Sequence, residues 1–168
     1  MRKTSAIAGS ALFFIAAPGV VSGLIPWLIT HWQSDPLFPG AAYPAVALIL
    51  AAVAFLLHAF SRFALEGGGT PAPVAPTERL VLGGVYRHVR NPMYVAVITI
   101  LAAQLLLFPA YGLLVYVTMA TVAMIAFVRL YEEPALAERY GEEYAAYRSA
   151  VPGWLPRLTP WRGERPAQ

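Results

Sequence analysis

Three long stretches without a charged side chain are the feature that most constrains how this sequence folds. They cover residues 6–30, 41–60 and 92–128, and none of them contains Lys, Arg, Asp or Glu. A helix that crosses the hydrocarbon core of a bilayer needs about 20 predominantly apolar residues. The first two stretches therefore each predict one membrane span. The first is also longer than the apolar part of a signal peptide, so we expect it to be retained as a span.

The third stretch is too long for one span and the right length for two. Pro109 and Gly112 lie near its middle, where these residue types favour a turn. We therefore expect a helical hairpin with spans at about 92–108 and 110–128. Together with the first two spans, this predicts an all-α, integral membrane bundle of four transmembrane helices that forms one domain over residues 1–168.

The composition agrees with a membrane class and excludes several others. Of 168 residues, 58% are hydrophobic and 12% are charged, whereas soluble domains carry roughly 25% charged residues. This balance excludes a disordered chain and argues against an ordinary soluble enzyme. The absence of cysteine excludes disulfides, thiolate metal sites and a cysteine nucleophile. The three histidines are far apart in sequence, so we predict no metal site, and no nucleic-acid-binding module is recognisable.

The positive charges predict the orientation in the membrane. With four spans, every Lys and Arg falls on the same side, while the opposite side carries only Asp35 as a charged residue. Cytoplasmic loops are enriched in Lys and Arg, so we expect both termini and a connector at 61–91 to be cytoplasmic, in a bacterial inner membrane. The positive residues are Arg2, Lys3, Arg62, Arg79, Arg87, Arg90, Arg129, Arg139, Arg148, Arg157, Arg162 and Arg165.

The C-terminal segment, about residues 132–161, has a helical pattern with an aromatic face. Pro134 suits the first turn of a helix, and apolar or aromatic residues then recur at steps of three or four. Tryptophans follow among prolines, and such rings favour the membrane–water interface. We therefore expect an amphipathic interfacial helix on the cytoplasmic surface. The recurring residues are Leu136, Tyr140, Tyr144, Tyr147 and Val151, followed by Trp154 and Trp161.

Polar side chains cluster at the two cytoplasmic ends of the predicted hairpin, at residues 83–94 and 129–133. A hairpin brings these ends together, so both clusters would share one cytoplasmic mouth. The simpler explanation of the first cluster is a positive membrane stop followed by a helix-starting proline. For the second, Glu132 and Glu133 either sit unfavourably at a helix C-terminus or begin a new helix and pair with Arg129. Both explanations remain open at this point.

Isolated polar residues in the apolar stretches give weaker signals. His58 and Gln104 lie within predicted spans, where they are either functional or hydrogen-bonded to a neighbouring helix. The glycine runs at 67–69 and 83–84 lack the strand and sheet context of a dinucleotide-binding fingerprint.

The two polar clusters, in this order, resemble the isoprenylcysteine carboxyl methyltransferase family and the related small phospholipid methyltransferases. The resemblance covers about residues 78–160. The first motif comprises Gly84, Tyr86, Arg90, Asn91, Pro92 and Tyr94. The second comprises Glu132, Glu133, Leu136, Gly141, Glu142 and Tyr144, followed by Val151, Pro152, Trp154 and Pro156.

This resemblance implies an integral membrane enzyme that transfers a methyl group from S-adenosylmethionine to a lipophilic small-molecule acceptor. It implies no Rossmann domain, with the cofactor entering from the cytosol and the acceptor from the bilayer. The predicted catalytic residues, on the acceptor side, are Arg129 and Glu133. Asn91 stands where the isoprenylcysteine enzymes have histidine, and an amide cannot carry charge. The predicted cofactor-binding residues are Glu78, Arg79, Leu80, Val81, Tyr86, Arg90, Asn91, Pro92, Met93, Tyr94 and Glu132.

Two other functions are compatible with the same sequence. Sterol-type, NADPH-dependent membrane reductases resemble the C-terminal motif, although they are usually larger and have more spans. A non-enzymatic membrane protein could use the clusters only for anchoring and orientation. The identity of the acceptor and the oligomeric state are not predicted by the sequence.

Overall fold

A computed structural model describes residues 17–33, 35–67 and 79–163 of the chain, and its regular secondary structure there is helical. Two continuous helices, Ala42–Gly67 and Tyr111–Ala150, are long and apolar enough to cross a membrane, whereas Ala17–Thr30 and Pro92–Leu107 are apolar but shorter. The predicted all-α class is confirmed, and the four-span arrangement stays a prediction. The helices are α1 (Ala17–Thr30), α2 (Ala42–Gly67), α3 (Pro92–Leu107), α4 (Tyr111–Phe127) and α5 (Glu133–Ala150).

The predicted helix ends are reproduced where proline and turn residues set them. Pro92 occupies the first turn of α3, where its missing N–H is not needed. The turn between α3 and α4 lies at 108–110 and contains Pro109, the residue from which the turn was predicted. By contrast, α2 continues past the predicted end at residue 60 to Gly67, because its last turns are polar and can lie in water while remaining helical. Residues 6–16 of the first predicted span lie outside the described residues.

Helix α3 lies at the centre of the apolar core, between α2 and α4. Leu101 of α3 and Leu113 of α4 are fully buried, and Leu56 of α2 packs in the same cluster. Packing of these side chains against one another holds α2, α3 and α4 together.

Helix α1 is attached to this core by hydrogen bonds to a π-helical turn at Val20–Leu24. The Gln104 amide Nε2 donates to the carbonyl of Ser22 at 2.7 Å, and the Tyr116 hydroxyl donates to the carbonyl of Val21 at 2.7 Å. A π-turn shifts the backbone hydrogen-bond pattern and so presents carbonyl groups to side chains of neighbouring helices. Of the two alternatives for Gln104, the structure shows the bond to a neighbouring helix.

Helices α4 and α5 form one continuous helix, joined by a second π-turn at Val128–Glu132. The sequence left open whether Pro134 starts a separate helix. In the structure Pro134 lies in the first turn of α5, and the helix is not interrupted before it. The backbone N–H of Glu133 bonds to the carbonyl of Val128, five residues earlier. The α5 helix then bends at Gly141, whose φ of 50° is accessible to glycine.

The aromatic face of α5 packs on the connector. Tyr144 and Tyr147 are each 3% exposed and pack with Leu80. The Tyr147 hydroxyl donates to the carbonyl of Tyr86 at 2.7 Å. The connector therefore offers this face both an apolar partner and a carbonyl acceptor, and the interfacial location of α5 stays a prediction.

The chain after α5 runs back along residues 87–91. The N–H groups of Arg90 and Asn91 donate to the carbonyls of Pro152 and Gly153, at 2.9 and 3.2 Å. The N–H of Trp161 donates to the carbonyl of Arg87 at 2.9 Å. The C-terminal segment therefore fixes the stretch that leads into α3.

Candidate functional site

A cavity of about 230 Å³ lies where the start of α3 and the end of the α4 π-turn meet the connector. Its wall is polar at one end and apolar at the other. The polar end has Tyr86, Arg90, Asn91, Tyr94 and Glu132. The remaining lining residues are Ala17, Pro18, Val21, Leu56, Phe60, Phe63, Pro92, Met93, Val97 and Met124. Such a division suits a reaction between a polar and an apolar molecule.

Glu132 is the carboxylate that faces this cavity. The Tyr94 hydroxyl donates to its Oε2 at 2.8 Å. Burial raises the pKa of Glu132 above its usual range, the Tyr94 hydrogen bond lowers it, and the neighbouring Glu133 raises it. No Lys or Arg within 17–33, 35–67 or 79–163 forms an ion pair with Glu132. The Glu132 carboxyl group therefore has no ion-pair partner within these residues, and a cationic ligand would stabilise its charged form.

Glu133, the next residue, has the opposite environment. Its Oε1 accepts from Arg90 Nη1 at 2.8 Å, with side chains only 13% and 10% exposed, and its Oε2 lies 3.2 Å from Arg148 Nη2. The same Arg90 Nη1 reaches the Tyr144 hydroxyl at 3.1 Å, and Arg90 Nε donates to the carbonyl of Val151 at 2.9 Å. This network balances the charge of Glu133 and holds the start of α3 against α5.

Asn91 carries the second polar group at the cavity. The residue is 8% exposed and lines the cavity, and its amide Nδ2 has no hydrogen-bond partner within the described part of the chain. An unsatisfied buried donor costs about 1–3 kcal/mol. Such a group suits an acceptor atom on a ligand, since binding would then satisfy it.

The connector holds Tyr86 at the cavity through a close approach to the end of α2. The N–H of Gly83 donates to Glu66 Oε2 at 3.0 Å, and Glu66 Oε1 pairs with Arg62. Gly84 has a φ of 56°, and a Cβ there would lie 2.9 Å from His58 Nε2. The glycines are therefore required for packing. Burial raises the pKa of Tyr86 well above the ordinary value of a phenol, so its hydroxyl remains neutral.

The structure brings together seven of the predicted cofactor residues and separates the others. Tyr86, Arg90, Asn91, Pro92, Met93, Tyr94 and Glu132 all line the cavity. Leu80 packs with the α5 tyrosines, Val81 packs beside Ala59, and Arg79 is exposed. Glu78 lies outside the described residues.

The two predicted catalytic residues occupy different surroundings. Glu133 is buried in the ion network beside the cavity, and Arg129 is exposed and does not line the cavity. The alternative in which Arg129 pairs with a glutamate is wrong for the described part of the chain, where Glu133 pairs with Arg90 and Arg148. Arg129 and Glu132 lie within the π-turn, which changes the helical spacing on which that alternative depended.

Sequence reasoning missed the apolar wall of the cavity and the second partner of Glu133. Residues such as Val21, Phe60 and Met124 lie in apolar segments where a cavity-lining residue looks the same as a lipid-facing one. Arg148 lies far along α5, so only the three-dimensional fold brings it to Glu133.

Comparison with known proteins gives one match. A family model described as phospholipid methyltransferase matches residues 42–143, which is more than half of the chain. The matched region contains α2, α3, α4 and both polar clusters. No curated protein and no solved structure gives a significant match.

Proposed function

The chain belongs to the phospholipid methyltransferase family, and on that premise we propose that the cavity at Tyr94 and Glu132 is where cofactor and acceptor meet. The protein is a membrane enzyme that catalyses S-adenosylmethionine-dependent methyl transfer to a lipid acceptor. Membership of this family sets aside the reductase and the non-enzymatic alternatives. The assignment of individual residues to this transfer is our proposal.

The residues of the cavity fit this cofactor. S-Adenosylmethionine, when bound, supplies a methyl group on a positively charged sulfur, and its transfer is an in-line displacement that depends on proximity and orientation. Glu132 offers a buried carboxyl group that forms no ion pair with a Lys or Arg of the described residues. Asn91 offers an unpartnered donor for a carboxylate or hydroxyl oxygen. The Glu132 carboxyl group, which forms no ion pair within the described part of the chain, is the observation that carries the proposal.

The side chains around Glu132 have supporting roles in this account. Tyr94 orients the Glu132 carboxylate through its hydroxyl, and the rings of Tyr86 and Tyr94 attract a cation through their faces. Pro92 and Met93 form part of the cavity wall beside these groups. For Arg79, Leu80 and Val81, the packing of the connector favours support of Tyr86 over direct contact with the cofactor.

Glu133 and Arg129 act outside the cavity in this proposal. Glu133 holds Arg90 at 2.8 Å and thereby fixes Asn91, the next residue, relative to Glu132. We therefore assign Glu133 a positioning role. Arg129 is exposed just beyond α4, where a guanidinium suits the phosphate of a lipid head group.

We further propose the four-span topology with both termini in the cytoplasm. The one-sided placement of Lys and Arg supports it, and the cavity would then open to the cytosolic supply of cofactor. A reporter fused after Gln168 or inserted within 66–76 should be cytoplasmic, and one within 34–38 external. An external signal from 66–76 would contradict this topology.

Calorimetric titration with S-adenosylmethionine tests the proposed cofactor site. Glu132→Gln keeps the shape and removes the charge, so we expect binding at least about tenfold weaker, since hydrogen bonds to charged groups are worth about 1.5–3 kcal/mol. Glu138→Gln is the matched control, because Glu138 lies on α5 and is exposed. Unchanged affinity in Glu132→Gln would remove the proposed site.

A further inference from the structure

A second cavity, an apolar groove of about 390 Å³, lies between α1, α2 and α3. Helix α1 packs against α3 and α4 rather than against α2, so a space remains between α1 and α2. The residues lining this groove are Pro18, Gly19, Ser22, Gly23, Trp32, Ile49, Val53, Leu56, Ile100, Gln104, Leu107 and Phe108.

The groove lies next to the cavity that contains Glu132. Pro18 and Leu56 line both spaces and mark the boundary between them. From this boundary the groove lies along α3 from Ile100 to Phe108 and also contains Trp32. A ligand with its polar end at Glu132 would reach the groove past Pro18 and Leu56.

The polar groups in the groove offer little to a polar ligand. The Ser22 hydroxyl already donates to the carbonyl of Pro18 at 2.6 Å, and Gln104 Nε2 donates to the carbonyl of Ser22. The Gln104 Oε1 has no hydrogen-bond partner among the described residues, but this one atom is buried, and it is the only side-chain acceptor without a partner that the described lining holds. The rest of the lining is apolar apart from the indole nitrogen of Trp32, so van der Waals packing with hydrocarbon is the main favourable interaction available.

We propose that this groove binds one hydrocarbon chain of the lipid acceptor while its methyl-accepting head group lies in the cavity at Glu132. This inference rests on the proposed function. The length supports it: Tyr94 and Phe108 are about 20 Å apart along α3 at 1.5 Å per residue, and one leaflet of a bilayer core is about 15 Å deep. One chain of a lipid from the cytoplasmic leaflet therefore fits between the head-group site and Phe108.

Gly23 provides a way to fill the groove without disturbing the bundle. A Cβ at this position meets no atom within 4 Å, and Gly23 lines the groove. Its φ is not positive, so a larger residue is compatible with the backbone. Gly23→Leu therefore places a side chain in the groove. Ala102→Leu is the matched control, since Ala102 is exposed on α3 and lines neither space.

The first test compares kcat/KM for long-chain and short-chain amine-headed phospholipids in the purified full-length protein. Gly23→Leu should lower the value for the long-chain acceptor about tenfold, because the leucine side chain occupies space that the hydrocarbon chain would otherwise fill. The short-chain value and the calorimetric affinity for S-adenosylmethionine should stay within about twofold, as should every value for Ala102→Leu. An equal loss for both acceptors, or no loss, would overturn the proposal.

The second test does not depend on turnover. A phospholipid with a photoreactive diazirine at the end of one chain is crosslinked to the protein in nanodiscs, and the labelled residues are mapped by mass spectrometry. Labels at Ile49, Val53 or Leu107 support the groove, and labels confined to the exposed face of α4, such as Met119, contradict it. If the groove is labelled but no methyl transfer occurs, the proposed function fails while the binding site stands.

Discussion

The hydroxyl of Tyr94 donates a hydrogen bond of 2.8 Å to Oε2 of Glu132, a residue 38 positions later in the chain. Tyr94 lies in the first turn of α3 and Glu132 at the end of the π-turn after α4. The helical hairpin of α3 and α4 therefore brings these two side chains together at the polar end of the cavity. Each side chain is also a predicted cofactor contact, so their bond connects the fold to the proposed chemistry.

Removing the Tyr94 hydroxyl should weaken cofactor binding through Glu132. In Tyr94→Phe the carboxylate loses the donor that stabilises its charged form, so we expect affinity for S-adenosylmethionine to fall about threefold to tenfold, from a bond worth about 0.5–1.5 kcal/mol. Calorimetry measures this. Tyr111→Phe, which removes the hydroxyl of an 82% exposed residue at the start of α4, should leave the affinity unchanged, and equal losses in both variants would contradict a specific role.

The raised pKa of Glu132 predicts that this residue reduces stability at neutral pH. The fold favours the neutral carboxyl group of Glu132. The stabilising contribution of this group is therefore fully present below the pKa that Glu132 has in the unfolded chain, and it is lost as pH rises through the higher pKa of the folded protein. Glu132→Gln should therefore raise the thermal midpoint at neutral pH in the absence of ligand, and raise it less in acid. The control Glu138→Gln should have no such effect. A lower midpoint for Glu132→Gln at neutral pH would contradict the prediction.

The buried pair of Arg90 and Glu133 should be important for stability. Removing one partner of a buried ion pair leaves an uncompensated charge, at a cost of about 3–5 kcal/mol, and Arg90 also bonds to Val151 and Tyr144. We expect Glu133→Ala to lower the free energy of unfolding by that amount in detergent. Arg148→Ala removes a partner whose side chain is 56% exposed, so its loss should be at most about 1 kcal/mol. Similar losses would argue against a buried network.

Gly84 should be required for the connector to reach the end of α2. Alanine at this position has to adopt a φ of 56° and approach His58 and Arg62 at about 3 Å. Gly40 is the matched control, since its φ of 85° strains alanine equally but no atom lies within 4 Å of a Cβ there. We expect both Gly→Ala variants to lose about 1–2 kcal/mol from backbone strain. Only Gly84→Ala should also weaken cofactor binding, because it displaces Tyr86.

Much of this fold follows from the sequence, because charge and proline determine where membrane helices begin and end. The uncharged stretches predicted α2, α3 and α4, and the turn near Pro109 predicted the hairpin that brings residues 83–94 near Glu132. The prediction for α2 was too short, since a helix can continue into water beyond its apolar part.

The division of roles between the two glutamates did not follow from the sequence. The π-turn at Val128–Glu132 determines which carboxylate faces the cavity and which faces Arg90, and no residue pattern indicates such a turn. The apolar groove could not be predicted from the sequence either. Gly19 and Gly23 line it only because α1 and α2 leave a space between them in the fold.

The central claim is that the charge of Glu132 selects a cationic cofactor, and a comparison of two ligands tests it most directly. S-Adenosylmethionine carries the sulfonium charge, and S-adenosylhomocysteine is the same molecule without the methyl group and that charge. In calorimetric titrations, the unmodified protein should bind the charged ligand about tenfold more tightly, as expected for one charge-assisted contact, and Glu132→Gln should lose most of this preference, because only the tyrosine rings still attract the cation. A Glu132→Gln variant that retains the full preference for S-adenosylmethionine would contradict the account.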